Sequence, residues 1–264
     1  MKSRIKQLIA GTPLEPVGRR VYAAFATGRH APHTSETEDK NRQYDMQTIE
    51  VMKRVLENTS NCVDVGCHHG SILREVLRFA PAGTHFAFEP IPELFTELRR
   101  SFGHLPNLRF YDLALSDTKG ETPFQHVVTN PAYSGFCQRR YDRPNETCQE
   151  IVVKADLLDR IIPEDTPIKF IKVDVEGAEL LVFKGAVETI RKNRPVIIFE
   201  HGLGAADCYQ TGPDDVYELL VSECGLRLFL MAKWLESSGR YSLSKQAFSE
   251  NFWKGRNYYF MAHP

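Results

Sequence analysis

The chain has 264 residues, which suffice for one α/β domain with additions but are few for two full domains. Its 33 Lys and Arg residues nearly balance 34 Asp and Glu residues, so charge gives no reason to expect a nucleic-acid partner. No run approaches the ~20 apolar residues of a membrane span, and the apolar runs near the N-terminus are short for a secretory signal. The six cysteines include no Cys-x-x-Cys pair, which argues against zinc and against a disulfide framework. We therefore expect a cytoplasmic chain without a transmembrane segment, and nothing in the composition specifies an oligomeric state.

The N-terminal part differs in composition from the rest. Residues 1–43 are interpreted as a short basic helix followed by a polar connector or lid, because residues 29–43 contain almost nothing to bury. The core domain, residues 44–264, begins with an amphipathic helix through Ile49, Met52 and Val55.

Through the core domain, short apolar runs alternate with stretches of helical periodicity. This alternation predicts parallel strands joined by helical crossovers, which is a Rossmann-like α/β sheet with helices on both faces. The strands are predicted at Cys62–Val65, His85–Glu89, Leu108–Tyr111, Phe170–Val175, Val196–Phe199, Leu226–Met231 and Tyr258–Met261.

Two segments depart from the alternation. Residues 120–153 contain extended pieces around a polar stretch and predict an inserted hairpin. Residues 232–257 are predicted to be a long aromatic loop, with Trp234 near its start. Long loops with their own aromatic residues are usually functional or self-packed, so this loop is a candidate wall of an acceptor pocket.

The first predicted strand leads into a loop with an acid and two glycines. Asp64 ends the strand, Gly66 and Gly70 follow, and a helix begins there. This Asp-x-Gly-x-x-x-Gly pattern differs from the Gly-x-Gly-x-x-Gly of dinucleotide sites, whose helix-terminal N–H groups receive a pyrophosphate. An aspartate suits the cationic methionine end of S-adenosylmethionine instead. The alternative is that both glycines are ordinary turn residues.

A second acid follows the second strand, about twenty residues beyond the glycine loop. Glu89, before Pro90, stands where an acid accepts hydrogen bonds from ribose hydroxyls in nucleotide sites. It could instead cap the helix that begins near Pro92. The loop and Glu89 together favour an adenosine-containing ligand.

The fourth and fifth strands end in polar residues at the same predicted edge. Asp174 and Glu176 follow one strand, and Glu200 and His201 follow the other. Asp174, Glu200 and His201 are therefore candidate catalytic residues, with His201 a possible general base because its ordinary pKa lies near neutrality. Alternatively, one of the acids, Glu176 above all, caps the next helix, and His201 is a solvated loop residue. These side chains could also gather a divalent cation, but no motif fixes metal geometry and no metal site is predicted.

Taken together, these motifs resemble the FkbM family of S-adenosylmethionine-dependent methyltransferases. The shared elements are the loop Asp64 to Gly70, Phe88-Glu89-Pro90, Ala114-Leu115-Ser116-Asp117, Ile171 to Glu179, Lys184-Gly185 and the strand end Ile198-Phe199-Glu200. The resemblance covers roughly residues 44–201, and Asp-Val-Glu-Gly-Ala-Glu is its most specific element.

The resemblance implies a seven-stranded methyltransferase sheet with the last strand antiparallel, and S-adenosylmethionine as cofactor. It implies O-methylation of a sugar, glycolipid or natural-product hydroxyl. The implied cofactor residues are Asp64, Gly66, Cys67, His68, Gly70, Glu89, Pro90, Asp112, Ala114 and Asp174, with Asp112 and Ala114 near the adenine. Glu176, Ser134 and Trp234 are the candidate acceptor residues.

Two departures from the family pattern affect these expectations. His68 stands where the family usually has Asn, and the family's Ser-Ser element is only loosely matched around Ser134. Two alternatives stay open: N-methylation of a small amine, which needs less help from a base, and a binding module that has lost catalysis.

Overall fold

The computed structural model describes residues 36–139, 141 and 145–264. The predicted N-terminal basic helix and the first part of the connector fall outside these residues. Residues 43–264 form one compact unit, which contains both sheets and the site. Of the other unit, residues 1–42, the structure describes 36–42, which are helical.

Helix α1 (Glu36–Val55) begins earlier than the sequence predicts. The predicted connector extends to residue 43, and this part of the prediction is wrong, because the chain is helical from Glu36. Five of the eight residues from 36 to 43 are Glu, Lys, Arg or Gln, which have high helix propensity. Arg42 also forms an ion pair with Asp39 one turn away, of the kind that supports a solvated helix.

The first half of the core alternates strands and helices as predicted. After α1 come β1 (Asn61–Val65), α2 (Ser71–Phe79), β2 (His85–Phe88), α3 (Pro92–Phe102) and β3 (Leu108–Tyr111). The three strands pair in parallel, with β1 between β7 (Ile168–Val173) and β2. Pro92 opens α3, where its missing N–H has no partner to lose.

A small second sheet occupies the predicted insertion. It consists of β4 (Leu113–Leu115), β5 (Gly120–Val127) and β6 (Cys148–Asp156), in the order β4-β6-β5. Strands β5 and β6 pair antiparallel, so the extended pieces expected within residues 120–153 do form a hairpin, and β4 adds to it in parallel.

The second half completes the main sheet. After β6 come α4 (Leu158–Ile161), β7, α5 (Glu179–Lys184), α6 (Val187–Asn193), β8 (Val196–Glu200), α7 (Pro213–Tyr217) with a π-helical continuation Glu218–Glu223, β9 (Arg227–Phe229), α8 (Met231–Ser237), α9 (Lys245–Trp253) and β10 (Tyr259–His263).

The main sheet has seven strands in the order β3-β2-β1-β7-β8-β10-β9. The last strand, β10, runs antiparallel to both of its neighbours. This topology confirms the expected seven-stranded mixed sheet with an antiparallel last strand. The order reverses between β1 and β7, and ligands of open α/β sheets bind in the crevice at such a reversal, beyond the carboxyl ends of the strands.

Apolar side chains cover both faces of the sheet. Val63, Ile171 and Phe199 pack on one face with Phe183 of α5 and Ile190 of α6. On the other face the side chains of Cys62, Phe170, Ile198 and Met261 pack with Met52 of α1 and Val76 of α2. Because parallel strands are covered from both sides, their sequences are nearly continuous apolar runs, and polar residues are left for the strand ends.

The segment predicted to be an aromatic loop is largely helical, so that prediction is wrong. Residues 231–237 form α8 and residues 245–253 form α9, with the Ser244 side chain capping α9 through the Ala247 N–H. Phe248 and Phe252 lie four residues apart on one face of α9 and are fully buried. The aromatic residues of this segment therefore mainly fill the core.

In the part of the chain that the structure describes, no helix is both long and apolar enough to cross a membrane.

Candidate active site

The parallel strands bring the predicted acids to one edge of the main sheet. Asp64 lies in register with Lys172 of β7, Glu89 follows β2, and Asp174 directly follows β7. Glu200 ends β8 beside them. The acids are separated by up to 136 positions in sequence, yet all lie where the strand order reverses.

Gly66 and Gly70 are required by the packing of the protein itself. Both have φ of 73°, which favours glycine. A Cβ on Gly66 would lie 2.0 Å from the Asp174 carbonyl oxygen, and one on Gly70 would lie 2.8 Å from the Phe102 ring. The first glycine thus lets the β1 loop approach the β7 loop, and the second lets α2 approach α3.

Asp64 is a buried carboxylate without a compensating hydrogen bond. Its side chain is 2% exposed, and neither oxygen has a partner among the residues that the structure describes. Burial raises the pKa of Asp64 to about 6, while the nearby Lys172 ammonium opposes the rise. An orphaned carboxylate of this kind can receive a cationic or hydrogen-bond-donating group of a ligand.

The two histidines of the loop occupy different environments. His68 has φ of 49°, its N–H donates to Glu89 at 2.8 Å, and its Nε2 is buried with no partner in the described chain. Burial first, and then His69 and Lys172, lower the pKa of His68 to about 4, so the ring is neutral near pH 7. His69 is exposed and its Nδ1 lies 3.0 Å from Glu97. Cys67, between Gly66 and His68, is buried and its thiol donates to the Asp64 carbonyl oxygen.

Glu89 ties the loop to the start of α3. It is 4% exposed, and its two oxygens accept the N–H groups of His68 and Ile91 at 2.8 and 3.0 Å. The capping alternative therefore describes one of its contacts. Burial raises the pKa of Glu89 to about 7, although both N–H groups favour the ionised form. Each oxygen can still accept a second hydrogen bond, since a carboxylate has about four acceptor positions.

The remaining predicted cofactor residues lie near the same edge, and one of them, Ala114, belongs to the second sheet. Pro90 follows Glu89 and is partly buried. Asp112 follows β3, is exposed, and forms an ion pair with Lys154 at 2.9 Å. Ala114 belongs to β4 of the second sheet, pairs with Ala155, and is 8% exposed.

Asp174 is the centre of a polar cluster. Its Oδ2 lies 3.2 Å from the Lys172 ammonium and accepts the Tyr259 hydroxyl at 2.5 Å. The carboxyl of Glu200 is also hydrogen-bonded to Asp174. Burial and the neighbouring Asp174 charge raise the pKa of Glu200 well above its ordinary value. Within this pair Asp174 is therefore the carboxyl group that ionises more readily, and Glu200 is the one that holds a proton more tightly.

Glu176 points toward the inserted segment. It has φ of 56° and forms an ion pair with Arg139, whose guanidinium also lies 4.8 Å from the centre of the Tyr133 ring. Ser134, expected to contact the acceptor, is 7% exposed and accepts the Val127 N–H at 3.0 Å. Its oxygen thus closes the turn of the insertion.

The geometry does not support His201 as a general base. The ring is fully buried, stacks on Phe252 with 4.7 Å between ring centres, and neither nitrogen has a hydrogen-bond partner among the described residues. Its Nδ1 lies 3.9 Å from Glu179, which is also fully buried. A base must reach the proton that it removes, and a ring enclosed in this way does not reach an acceptor.

Trp234 is also misplaced by the sequence prediction. It lies in α8, is 7% exposed, and its ring centre is 5.4 Å from that of His263 at the far end of β10. Because β10 runs antiparallel to β8, His263 lies at the amino edge of the parallel strands, opposite the acids. Trp234 is therefore a core residue remote from the site.

Asp174, Glu176 and Glu200 approach closely enough that one oxygen of each could meet at a single point, with these atoms within 4.8 Å of one another. Two of the three already have a cationic partner, because Lys172 pairs with Asp174 and Arg139 pairs with Glu176. These ammonium and guanidinium groups supply the positive charge that a metal ion would bring. We assign no metal to this cluster.

Sequence reasoning missed several residues of the cluster. Lys172 could have been predicted most easily from the sequence, since a lysine among apolar residues in a strand covered on both faces must have a partner. Glu179 accepts the N–H groups of Val175 and Gly177 and so holds the loop after β7. Tyr259 gives no such signal, because its contact with Asp174 spans 85 positions and depends on the pairing of β10 with β8.

Comparison with known proteins shows which family of proteins this chain resembles. The methyltransferase FkbM domain matches residues 64–228. A 2-O-methyltransferase, NoeI, of Sinorhizobium fredii (strain NBRC 101917 / NGR234) is 30% identical over 150 residues, which cover 50% of this chain and 59% of that protein. The chain thus matches less than two thirds of the length of this relative.

Solved structures with a similar chain path include two methyltransferases. The FkbM methyltransferase of Methylobacillus flagellatus KT has a TM-score of 0.46 at 15% identity, over 66% of this chain and 40% of that one. A precorrin-6y C5,15-methyltransferase of Geobacter metallireducens GS-15 has a TM-score of 0.38 at 12% identity, over 76% and 77%. The family match covers more than half of the 264 residues, and the chain belongs to the FkbM methyltransferase domain family.

Proposed function

We propose that this chain is an S-adenosylmethionine-dependent methyltransferase that methylates a hydroxyl group of a sugar, glycolipid or natural-product acceptor. The observation that carries the proposal is the convergence of Asp64, Glu89 and Asp174 at the edge where the strand order reverses. Family membership supports methyl transfer, and the related 2-O-methyltransferase supports a hydroxyl acceptor.

The polar groups at the ends of β1 and β2 fit the cofactor. The unpartnered carboxylate of Asp64 suits a cationic methionine end, and the neutral Nε2 of His68 lies in the same loop. Glu89 retains acceptor positions for ribose hydroxyls. Two buried acids on adjacent strands would repel a pyrophosphate, which disfavours a dinucleotide. Gly66, Cys67, Gly70, Pro90, Asp112 and Ala114 complete the proposed cofactor set.

Asp174 is the proposed base in place of His201. S-adenosylmethionine supplies an electrophilic methyl group when bound, and methyl transfer is an in-line displacement that depends on positioning. Asp174 would accept the proton that the acceptor hydroxyl loses when the methyl group passes to its oxygen from the sulfonium sulfur, which would leave as a neutral thioether. Glu200, which holds a proton more tightly, stabilises Asp174 by a hydrogen bond. Glu176, in the loop after β7, is proposed to contact the acceptor.

A small amine is a second candidate acceptor. The specific observation in its favour is that Asp174, Glu176 and Glu200 lie close together and offer oxygen acceptors to the N–H groups of an amine. A neutral amine attacks through its lone pair and so needs less help from a base than a hydroxyl does, and the acceptor panel below includes both classes.

We propose a cytoplasmic setting with a small molecule or glycan as partner. Cys62, Cys67 and Cys224 are buried thiols, as is common in proteins from reducing compartments. The near balance of acidic and basic residues gives no support to a nucleic-acid acceptor.

The test is mass spectrometry for a gain of one methyl group across glycosides, glycolipids, hydroxylated natural products and small amines, with purified chain and S-adenosylmethionine. Asp174→Asn is the inactive control, since the amide cannot accept the proton. A methylated hydroxyl that depends on Asp174 is the expected result. Calorimetric binding of S-adenosylmethionine with no product from any acceptor would instead indicate a binding module without catalysis.

A further inference from the structure

Two residues hold the same oxygen of Asp174 from different directions. The Lys172 ammonium lies 3.2 Å from Oδ2, and the Tyr259 hydroxyl donates to Oδ2 at 2.5 Å. Lys172 lies two residues earlier on the same strand, whereas Tyr259 comes from β10, where it pairs with Glu200. Fixing one oxygen by two donors sets the orientation of the whole carboxylate.

Lys172 is an unusual residue for a central strand. It is 7% exposed, and its ammonium also donates to the Gly66 carbonyl oxygen at 3.1 Å. Burying an isolated ammonium is costly, and the cost is reduced only by well-placed acceptors and opposite charge. Asp174 and the in-register Asp64 provide that charge. The lysine thus links the loop after β1 to the carboxylate after β7.

We propose that Lys172 and Tyr259 are positioning residues that hold Asp174 as an oriented carboxylate at the methyl-transfer site. The inference rests on the proposed function, which gives Asp174 the acceptor proton. Neither residue was a candidate from the sequence. Asp174 itself keeps 23% of its side chain exposed, so it is held from within while part of it stays accessible.

Many charged and titratable groups surround Asp174, and their signs differ. Those that face it are Asp45 of α1, Asp64 and His68 of the β1 loop, Lys172 of β7, Glu176 of the loop after β7 with its partner Arg139, Glu200 of β8 and Tyr259 of β10. Burial alone would raise the pKa of Asp174, but Lys172 and the hydrogen bonds from Glu200 and Tyr259 hold it below its ordinary value. Removing either positioning residue should therefore let the pKa of Asp174 rise.

The experiment measures this pKa directly and needs no acceptor. The chain is labelled with ¹³C at the aspartate carboxyls, and the Asp174 signal is assigned by its loss in Asp174→Asn. Tyr259→Phe removes one hydroxyl and is expected to raise the pKa of Asp174 by about one unit; Lys172→Met removes the opposite charge and should raise it by about 1–3 units. Tyr217→Phe is the control, since Tyr217 packs against Phe248 in the core.

An unchanged Asp174 pKa in a folded Tyr259→Phe protein would overturn the inference, whatever happens to Lys172→Met. Because Lys172→Met alters the interior charge balance, Tyr259→Phe is the deciding variant. Once an acceptor is found, the acid limb of the kcat/KM profile should move to higher pH in Tyr259→Phe, and kcat/KM should recover at pH values above that limb. A purely structural defect lowers activity at every pH. A shifted pKa without methyl transfer to any acceptor would reject the proposed function and leave the positioning role intact.

Discussion

Asp64→Asn tests whether the carboxylate of the first loop is kept for ligand binding at the expense of stability. The pKa of Asp64 is raised from 3.8 to about 6 by burial, so the folded chain binds this proton more tightly than the unfolded chain. Stability from this group is present at low pH and is lost as pH rises through about 6. At about 1.4 kcal/mol per pKa unit, the loss above pH 6 approaches about 3 kcal/mol. Asparagine has the shape of the acid and never ionises.

We therefore expect Asp64→Asn to raise the free energy of unfolding by up to about 3 kcal/mol at about pH 8 and to change it little at about pH 4. Urea unfolding at both pH values measures this. Calorimetry with S-adenosylmethionine should show affinity weakened about 10- to 100-fold, the scale of a charge-assisted hydrogen bond. Asp165→Asn, at an exposed loop position before β7, is the control and should change neither quantity. Destabilisation that is larger at about pH 8 than at about pH 4 would refute the reasoning, because it would mean that Lys172 already stabilises the ionised form of Asp64.

Three further predictions concern Glu89, His201 and Trp234. Glu89→Ala should weaken S-adenosylmethionine binding by about 1.5–3 kcal/mol in calorimetry; unchanged affinity would remove its ribose role. His201→Phe keeps the buried ring against Phe252 and should retain turnover, since loss of a general base would lower the rate about 10²–10⁴-fold. A loss of that size in the folded variant would restore His201 as the base. Trp234→Ala should lower the free energy of unfolding by about 3–5 kcal/mol and leave KM for the acceptor unchanged; a raised KM with little loss of stability would return Trp234 to the acceptor site.

Local pattern was sufficient for the main sheet. Apolar runs such as Val196–Phe199, separated by helices with three- and four-residue spacing, predict parallel strands because each must be covered on both faces. The segment 232–257 was predicted poorly because its local pattern is short. Phe248 and Phe252 have helical spacing within a helix of only nine residues, and their neighbours are polar, so the pattern was too short to separate from an aromatic loop.

Some residues of the candidate site could likewise be predicted from local pattern, and others could not. Asp64, Glu89 and Asp174 were predicted because each directly follows an apolar strand, and the carboxyl ends of parallel strands share one edge. His201 also follows such a strand, but its ring turns into the core against α9, and the direction of a side chain after a strand end depends on what packs there. Ser134 and Trp234 had no register to place them, and the structure puts both in structural roles.

The sequence by itself determined the family, the sheet and the identity of the acids at its edge, because these depend on periodicity and on motifs read within a few residues. Only the tertiary structure decided which of those acids ionises more readily. Lys172 and Tyr259 lower the pKa of Asp174, whereas burial beside the Asp174 charge raises the pKa of Glu200. That difference arises from burial and from distances between strands β7, β8 and β10, which are neighbours in the sheet and remote in the chain.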